Sequence, residues 1–449
     1  MLLLGPSGAG KSTLLTALAG LLDPRNAGQA EGELRVDGLD PRAARGRTGL
    51  VFQDPESQLV MTRAGDEVAF GLENRCVPPA EIWPQVDRAL AQVGFGYGRE
   101  RPTDALSGGE QQRLVLAGTF ALGPRLLLLD EPTANLDSAG AALVRRSLAE
   151  ILADRSLGVI VVEHRIAEVL PLVDRAVVLE SGGGVIADGP PDEVFARHGE
   201  RLAAAGVWVP DRPLAAPPRP ARAAGPTMLL AEHVAYRYPG ELDGAVGGVD
   251  LELNSGEVLA IIGANGSGKS TLALLLGGLL RPVRGTVVAA AGLTGAPRGP
   301  LDRWPAARLA GHVGSVFQDP EHQFLAERVG DELRMAPMRA GLPADEVQRR
   351  VDELLARLHL THLADANPFT LSGGEKRRLS VATALAAEPP VLLLDEPTFG
   401  QDRRTAVELL QLLAGLRDAG SAVAIVTHDE PFAAALADRS VRLERGRLA

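Results

Sequence analysis

With 449 residues, 45% of them apolar and 4% aromatic, the chain is about three times the size of a typical domain and has ample material for buried cores. Its 46 basic and 57 acidic residues leave a net charge of −11, which excludes a broad electrostatic grip on DNA or RNA, so no nucleic-acid partner is expected. A lone cysteine, Cys76, excludes a disulfide framework and suits a reducing compartment, and no apolar run reaches the roughly 18–20 residues of a membrane helix.

The chain opens with MLLLGPSGAGKST, three apolar strand residues followed by Gly5-x-x-x-x-Gly10-Lys11-Ser12. Such a loop works because glycines turn backbone N–H groups toward one point while the following helix adds its positive end. Gly5, Ser7, Gly8, Gly10, Lys11, Ser12 and Thr13 are therefore candidate phosphate-binding residues. By analogy with that architecture Lys11 touches the β- and γ-phosphates of a nucleotide and Ser12 ligates Mg²⁺. No basic segment precedes an apolar core here, so no signal peptide is expected, and a protein working at a membrane would have to borrow its span.

Further along come VFQDPESQL from Val51, LSGGE from Leu106, LLLLDEPT from Leu126 and VIVVEH ending at His164. The apolar LLLLDE reads as a buried parallel strand ending in two carboxylates. Asp130 is expected to hold Mg²⁺, and Glu131 to orient the attacking water. Gln53 ends a strand-like run and begins a polar insertion, a fitting place for a side chain that feels the γ-phosphate and moves its neighbours. Ser107, Gly108 and Gly109 offer a hydroxyl and bare N–H groups at the start of a helical run; an ordinary helix cap would also explain one such copy. A lone His after a strand is commonly a packing residue, so His164 gains weight only if its pattern recurs.

It does recur, because the second half of the chain carries the same motifs in the same order: GANGSGKST from Gly263, VFQDPEHQF from Val316, LSGGE from Leu371, VLLLDEPT from Val391 and VAIVTH ending at His428. The offset is 258 residues for the first motif and 265 for the next three, which means duplicated domains. The second set supplies Gly263, Asn265, Gly266, Gly268, Lys269, Ser270, Thr271, Gln318, Ser372, Gly373, Gly374, Asp395, Glu396 and His428. All but three of the basic residues are Arg; the Lys residues are 11, 269 and 376. Lys inside both loops marks places that need a compact ammonium on a flexible stem.

A Pro/Ala/Arg-rich stretch, VPDRPLAAPPRPARAAGPT, reads as a semi-extended tether, giving copy one at 1–205, a linker at 206–227 and copy two at 228–449. Ahead of its loop copy two carries MLLAEHVAYRYPG and VDLELNSGEVLAIIG, two paired strands and the strand feeding the loop, whereas copy one has only the last. Either the start has been assigned downstream of the true one, or copy one works without those strands. Cys76, Trp83 and Trp304 are expected to be filler and packing residues.

Loop, Gln, LSGGE, Asp-Glu strand and distal His, in that order, resemble the ATP-binding-cassette (ABC) ATPases over essentially everything except the tether. The resemblance implies an α/β fold of two P-loop nucleotide-binding domains. Each would have a mostly parallel core sheet, an antiparallel β-subdomain truncated in copy one, and a helical subdomain carrying LSGGE, the family's signature. It implies ATP and Mg²⁺ as ligands, with Ser12, Gln53 and Asp130, and Ser270, Gln318 and Asp395, around the metal. His164 and His428 become γ-phosphate sensors. Each ATP would be sandwiched head to tail, the residues of one copy facing Ser372, Gly373 and Gly374, those of the other facing Ser107, Gly108 and Gly109. Tyr238 occupies the family's adenine-stacking position in copy two, and copy one has no equivalent, which implies weaker ATP affinity there. Asp137 and Asp402 match an inter-domain aspartate, although FGQD in copy two replaces ANLD and suggests unequal rates.

The DPESQL and DPEHQF elements, with Gln58 and Gln323, resemble the energy-coupling-factor branch of importer ATPases; Asp-Pro-Glu also suits a plain turn and helix start. That branch implies a fused motor at the cytoplasmic face of the membrane. Its partners would be a membrane scaffold and a substrate-capturing membrane subunit importing a vitamin or transition-metal ion. Two other classes stay open: tandem cassettes acting on ribosomes or DNA, and sugar-importer ATPases. Ribosome-acting members typically have a charged helical linker and lack the distal His, DNA-repair members carry zinc cysteines or long coiled coils, and sugar importers a degraded second half.

Overall fold

A computed structural model of the chain describes residues 1–6, 8–22, 31–133, 136, 138–152, 157–180, 182, 184–219, 225–240, 244–293, 295, 299–398 and 400–449. Ser7 and Asp137 lie outside these. The chain divides into two compact units, Met1–Arg212 with Asp402–Arg404, and Pro213–Gln401 with Thr405–Ala449.

The first unit is built on a six-stranded sheet of β1 (Leu2–Leu4), β2 (Thr48–Val51), β3 (Leu126–Asp130), β4 (Gly158–Val162), β5 (Ala176–Leu179) and β6 (Val185–Gly189). The strand order is β2-β3-β4-β1-β5-β6, parallel apart from β6, which runs antiparallel to β5. The central strands are apolar on both faces because helices cover both, and Leu127, Leu128 and Leu129 are fully buried. Leu127 and Leu129 join one cluster with the helices of the 64–121 region, while Leu128 packs with Leu3 of β1 and Leu15 of the helix after the loop.

The second unit contains β7 (Thr227–Tyr236), β8 (Val246–Asn254), β9 (Val258–Ile262), β10 (Arg284–Ala289), β11 (Val313–Val316), β12 (Val391–Asp395), β13 (Ala422–Thr427), β14 (Arg439–Glu444) and β15 (Arg447–Leu448). Its main sheet, β11-β12-β13-β9-β14-β15, repeats the first unit's order strand for strand. A separate antiparallel sheet, β10-β7-β8, carries the strands expected from MLLAEHVAYRYPG and VDLELN. Among the described residues of the first unit its counterpart is reduced to one bridge, Val36 to Leu39.

In both sheets the phosphate loop follows a central strand and the Asp-Glu pair ends the strand two places away, so loop and carboxylates meet at the carboxyl edge where open α/β sheets bind ligands. Several described residues of the 206–227 stretch pack within the units. Val207 and Val209 join the first unit's core. In the second unit Leu214 is buried, the Pro218 carbonyl accepts from buried Arg417 at 3.2 Å, and Arg219 donates to the Ala437 carbonyl at 2.7 Å. Trp304 is buried as expected, but Trp83 is 39% exposed beneath the Arg99 guanidinium, 4.9 Å from its ring, so it is no core residue.

Candidate functional sites

Each phosphate loop turns on glycines with left-handed backbone: Gly8 and Gly10 at φ 78° and 85°, Gly266 and Gly268 at 74° and 97°. Helices Lys11–Leu18 and Lys269–Leu276 begin immediately afterwards, without a side-chain cap, leaving their first N–H groups available. Lys11 Nζ donates back to the carbonyls of Gly5 and Pro6 at 2.9 and 3.0 Å, and Lys269 Nζ to that of Ala264 at 2.8 Å. Burial lowers the Lys11 pKa, with Glu131 and Asp130 opposing. Ser7 is outside the described residues; Thr271 is buried and its hydroxyl lies 3.2 Å from that of Tyr238. Tyr238 thus stands at the loop's own helix, and is 37% exposed with Tyr236 edge-on against it.

The carboxylate pairs sit at the ends of β3 and β12. Ser12 hydrogen-bonds Asp130 and Ser270 hydrogen-bonds Asp395; burial raises both carboxyls, Asp395 to about 6. Asp395 Oδ1 is buried without a hydrogen-bond partner. A hydroxyl beside a carboxylate with an unused oxygen is a donor set that suits Mg²⁺, which takes few protein ligands and completes its shell with phosphate and water. Among the described residues no group of three or more His, Cys, Asp or Glu could hold a metal by itself.

Glu131 and Glu396 share an uncommon feature: both have φ 49°, a left-handed conformation costing a non-glycine residue about 1–3 kcal/mol. Each is pinned there by its own N–H, donated to Val162 and to Val426 at 2.9 and 2.8 Å. The side chains are held differently. Glu131 meets His164 Nε2 at 2.9 Å and accepts from Gln53 Nε2 at 3.0 Å. Burial would raise the Glu131 carboxyl, but the facing imidazole leaves it lowered; burial likewise disfavours charge on His164, and Glu131 overrides it, leaving His164 raised. Glu396 meets His428 Nδ1 at 2.7 Å and accepts from Thr427 Oγ1 at 3.0 Å and the His428 N–H at 3.1 Å. Gln318 is exposed, and its carbonyl accepts from Arg377.

Ser107 and Ser372 cap helices Gly108–Ala121 and Gly373–Leu385 in reciprocal capping boxes with Glu110 and Glu375. The cap explains the serines and not the glycines after them. A Cβ on Gly108 or Gly373 would meet nothing within 4 Å, and one on Gly374 only side chains at 3.7 Å or beyond. Gly109 is tighter, with Leu136 at 3.2 Å.

Three residues at these sites carry no motif of their own. Arg377, buried, donates to the carbonyls of Phe317, Gln318 and Asp395, tying the signature helix to the ends of β11 and β12; burial lowers it to about 10. The corresponding Gln112 of copy one is buried with Nε2 unpaired. Glu163 and Trp208 line a small cavity with Lys11 and His164. A position-by-position reading of the two copies would have found Arg377 and Glu163. Lys376 pairs with Glu321 at 2.5 Å, and Gln323 exchanges two hydrogen bonds with Ser380, fastening the element after Gln318 to the signature helix. In copy one Gln58 instead closes on its own strand, through the Phe52 N–H and the Leu50 carbonyl.

These sites belong to a class of nucleotide-binding α/β domains, present twice. A family model described as ABC transporter matches residues 1–134 and 246–399. Bacillus subtilis has a relative, the provisionally named HMP/thiamine import ATP-binding protein YkoD, that is 34% identical across 98% of this chain and 83% of its own length. A Methanosarcina acetivorans protein, provisionally named an ABC transporter ATP-binding protein, is 32% identical across 100% of this chain and 80% of its own. A solved structure of an RNase-L inhibitor covers the whole chain and 84% of itself with TM-score 0.65, at 22% identity, a likeness of fold alone. The chain belongs to the ABC transporter family as a tandem ATP-binding protein, an ATPase of transporter type. No helix among the described residues is long and apolar enough to cross a membrane.

The loop geometry separates the copies. A Cβ on Gly268 would lie 2.0 Å from the Ala245 carbonyl oxygen, at the foot of β8, while one on Gly10 meets nothing within 4 Å. Gly268→Ala is expected to destabilise its unit by about 3 kcal/mol or more, from a backbone collision added to strain. Gly10→Ala is expected to cost about 1–2 kcal/mol, from left-handed strain alone. Paired denaturant unfolding curves check the order; equal losses would contradict it.

Proposed function

We propose that the chain is the fused motor subunit of an energy-coupling-factor-type importer. It would hydrolyse ATP at the cytoplasmic face of a membrane to bring in a micronutrient, a vitamin or a transition-metal ion. The observation that carries the reading is that both copies retain every catalytic residue type and both place a second Gln, Gln58 or Gln323, in a short element after Gln53 or Gln318. The import role in the name of the Bacillus subtilis relative supports it. So do the Pro-rich composition of the linker and the retention of both distal histidines, which distinguish the chain from the pattern of ribosome-acting cassettes.

In this reading Lys11 and Lys269 release their loop carbonyls to hold the β- and γ-phosphates, joined by the N–H groups of Gly5, Ser7, Gly8, Gly10, Ser12 and Thr13, and of Gly263, Asn265, Gly266, Gly268, Ser270 and Thr271. Ser12, Gln53 and Asp130, and Ser270, Gln318 and Asp395, would hold Mg²⁺, which when bound neutralises phosphate charge. Glu131 and Glu396 orient and polarise the attacking water, and His164 and His428 reach the γ-phosphate while fixing those carboxylates. Tyr238 stacks on adenine in copy two.

Each site is completed by the other copy's signature residues, Ser372, Gly373 and Gly374 or Ser107, Gly108 and Gly109. The free space around a Cβ at Gly108 and Gly373 supports this, because the fold does not ask for glycine there and a close-approaching ligand does. The elements after Gln53 and Gln318 pass the motion to a membrane scaffold, which works with a substrate-capturing membrane subunit. Asp402, buried, and Asp137 are assigned to communication between the copies.

Replacing both Glu131 and Glu396 with Gln is expected to preserve ATP binding and to slow steady-state hydrolysis by about 10²-fold or more, since the water is no longer oriented. Phosphate release measured beside nucleotide binding checks this, and wild-type turnover in the double variant would remove the assignment. Affinity purification from detergent-solubilised membranes is expected to recover integral membrane proteins with the chain. Recovery of ribosomes in their place would favour the non-transport reading.

A further inference from the structure

Copy one places an acid where copy two places a hydroxyl. The residue before His164 is Glu163, and the residue before His428 is Thr427. In the second unit Thr427 donates to Glu396, and Thr398 of its Asp-Glu-Pro-Thr run donates to Asp429, behind the histidine, at 3.3 Å. In the first unit the matching Thr133 donates instead to Glu163 Oε1, in front of the histidine, and Asp429's place is taken by Arg165. The carboxylate that holds the threonine has therefore moved from a helix cap to the interior.

Glu163 is 4% exposed, and its second oxygen has no hydrogen-bond partner. It lines the cavity that also receives Gly5, Lys11, His164, Ile166, Val207 and Trp208. The charged or titratable groups around it are Lys11 from the helix after the loop, Glu131 from the end of β3, and His164 and Arg165 beyond β4. Val207 and Trp208 bring no charge.

We propose that Glu163 is a positioning residue that makes the first ATP site sensitive to protons through an acid whose place in the second site is taken by the hydroxyl of Thr427. Uncharged, it anchors Thr133 and leaves the cavity beside Lys11 and His164 without added charge. Ionised, it sets a second carboxylate near Glu131 and weakens the hold on a triphosphate. This rests on the reading of Gly5–Thr13 as an ATP site. Burial pushes the Glu163 carboxyl up to about 7, with the Thr133 bond opposing and the Glu131 charge adding. The change thus falls within the neutral range. The sign comes from linkage: between the ordinary carboxyl range and about pH 7 the folded chain keeps a proton that the unfolded chain has lost. Folding stability therefore falls as pH rises through that window.

The test uses the full chain with Trp83→Phe and Trp304→Phe, so that Trp208 is the sole indole. Without nucleotide, its emission is expected to titrate near pH 7. Glu163→Gln removes that midpoint, and His164→Gln leaves it in place. A midpoint that survives Glu163→Gln, or that His164→Gln abolishes, would overturn the inference. In a Lys269→Ala background, Mg-ATP affinity at the first site is expected to fall severalfold from pH 6 to pH 8, and Glu163→Gln or Glu163→Thr to flatten the profile; an unchanged profile in both variants would overturn it. Glu163→Gln should also melt higher than its parent at pH 8, with the advantage shrinking toward pH 5. Lys11→Ala separates the two readings: if ATP still binds at full affinity to the Lys11→Ala, Lys269→Ala chain, the ATP-site reading fails while the Trp208 titration still reports on Glu163.

Discussion

The architecture turns on one constraint: a carboxylate must stay usable while buried at the end of a fully apolar strand. Glu131 and Glu396 follow β3 and β12, whose leucines are shielded on both faces, and each is forced into left-handed backbone by the hydrogen bond from its N–H to the neighbouring strand. Removing such a group from water costs several kcal/mol unless donors replace the lost solvent. The parallel sheet supplies them by bringing the strand before the histidine alongside, so that an imidazole meets the carboxylate at 2.9 or 2.7 Å. The loop with its Lys and Ser then occupies the same edge as the Asp-Glu pair, because the strand that feeds the loop is the next one in the sheet.

The two copies satisfy that constraint with different shells. Copy one uses Gln53 and His164 through Nε2; copy two uses Thr427 and His428 through Nδ1. Copy two is also more tightly cross-braced, because Arg377 gathers three carbonyls from two strand ends and Lys376 and Ser380 hold the element after Gln318. Gln112 in place of Arg377 leaves copy one without that brace. The duplication has thus kept the catalytic residue types while the side chains that hold them have diverged.

Much of this was legible in the sequence, for a physical reason. Phosphate loop, signature and Asp-Glu strand are contiguous segments whose chemistry is fixed by local backbone, so their residues announce the site, and the parallel strands follow from their unbroken apolar runs. What stayed hidden depends on contacts between distant segments. Glu163 and Trp208 meet at one cavity only after the chain has folded, and Arg377 looks like any other Arg in a chain that writes nearly all its cations that way. Trp83, expected to pack, lies under an Arg at the surface, and the Pro-rich tether is held at Val207, Val209, Leu214 and Pro218 by small apolar and carbonyl contacts that composition does not display. The second-copy β7 and β8 are readable from the sequence, and among the described residues no counterpart of them lies beside the first loop, which fits the open space at Gly10.

The central claim is that two complete nucleotide sites, built from the same parts on differently braced frames, reside in a single chain. Equilibrium dialysis of the hydrolysis-deficient chain against labelled Mg-ATP counts them directly. Saturation at two nucleotides per chain is the expected result, and saturation at one would contradict the account.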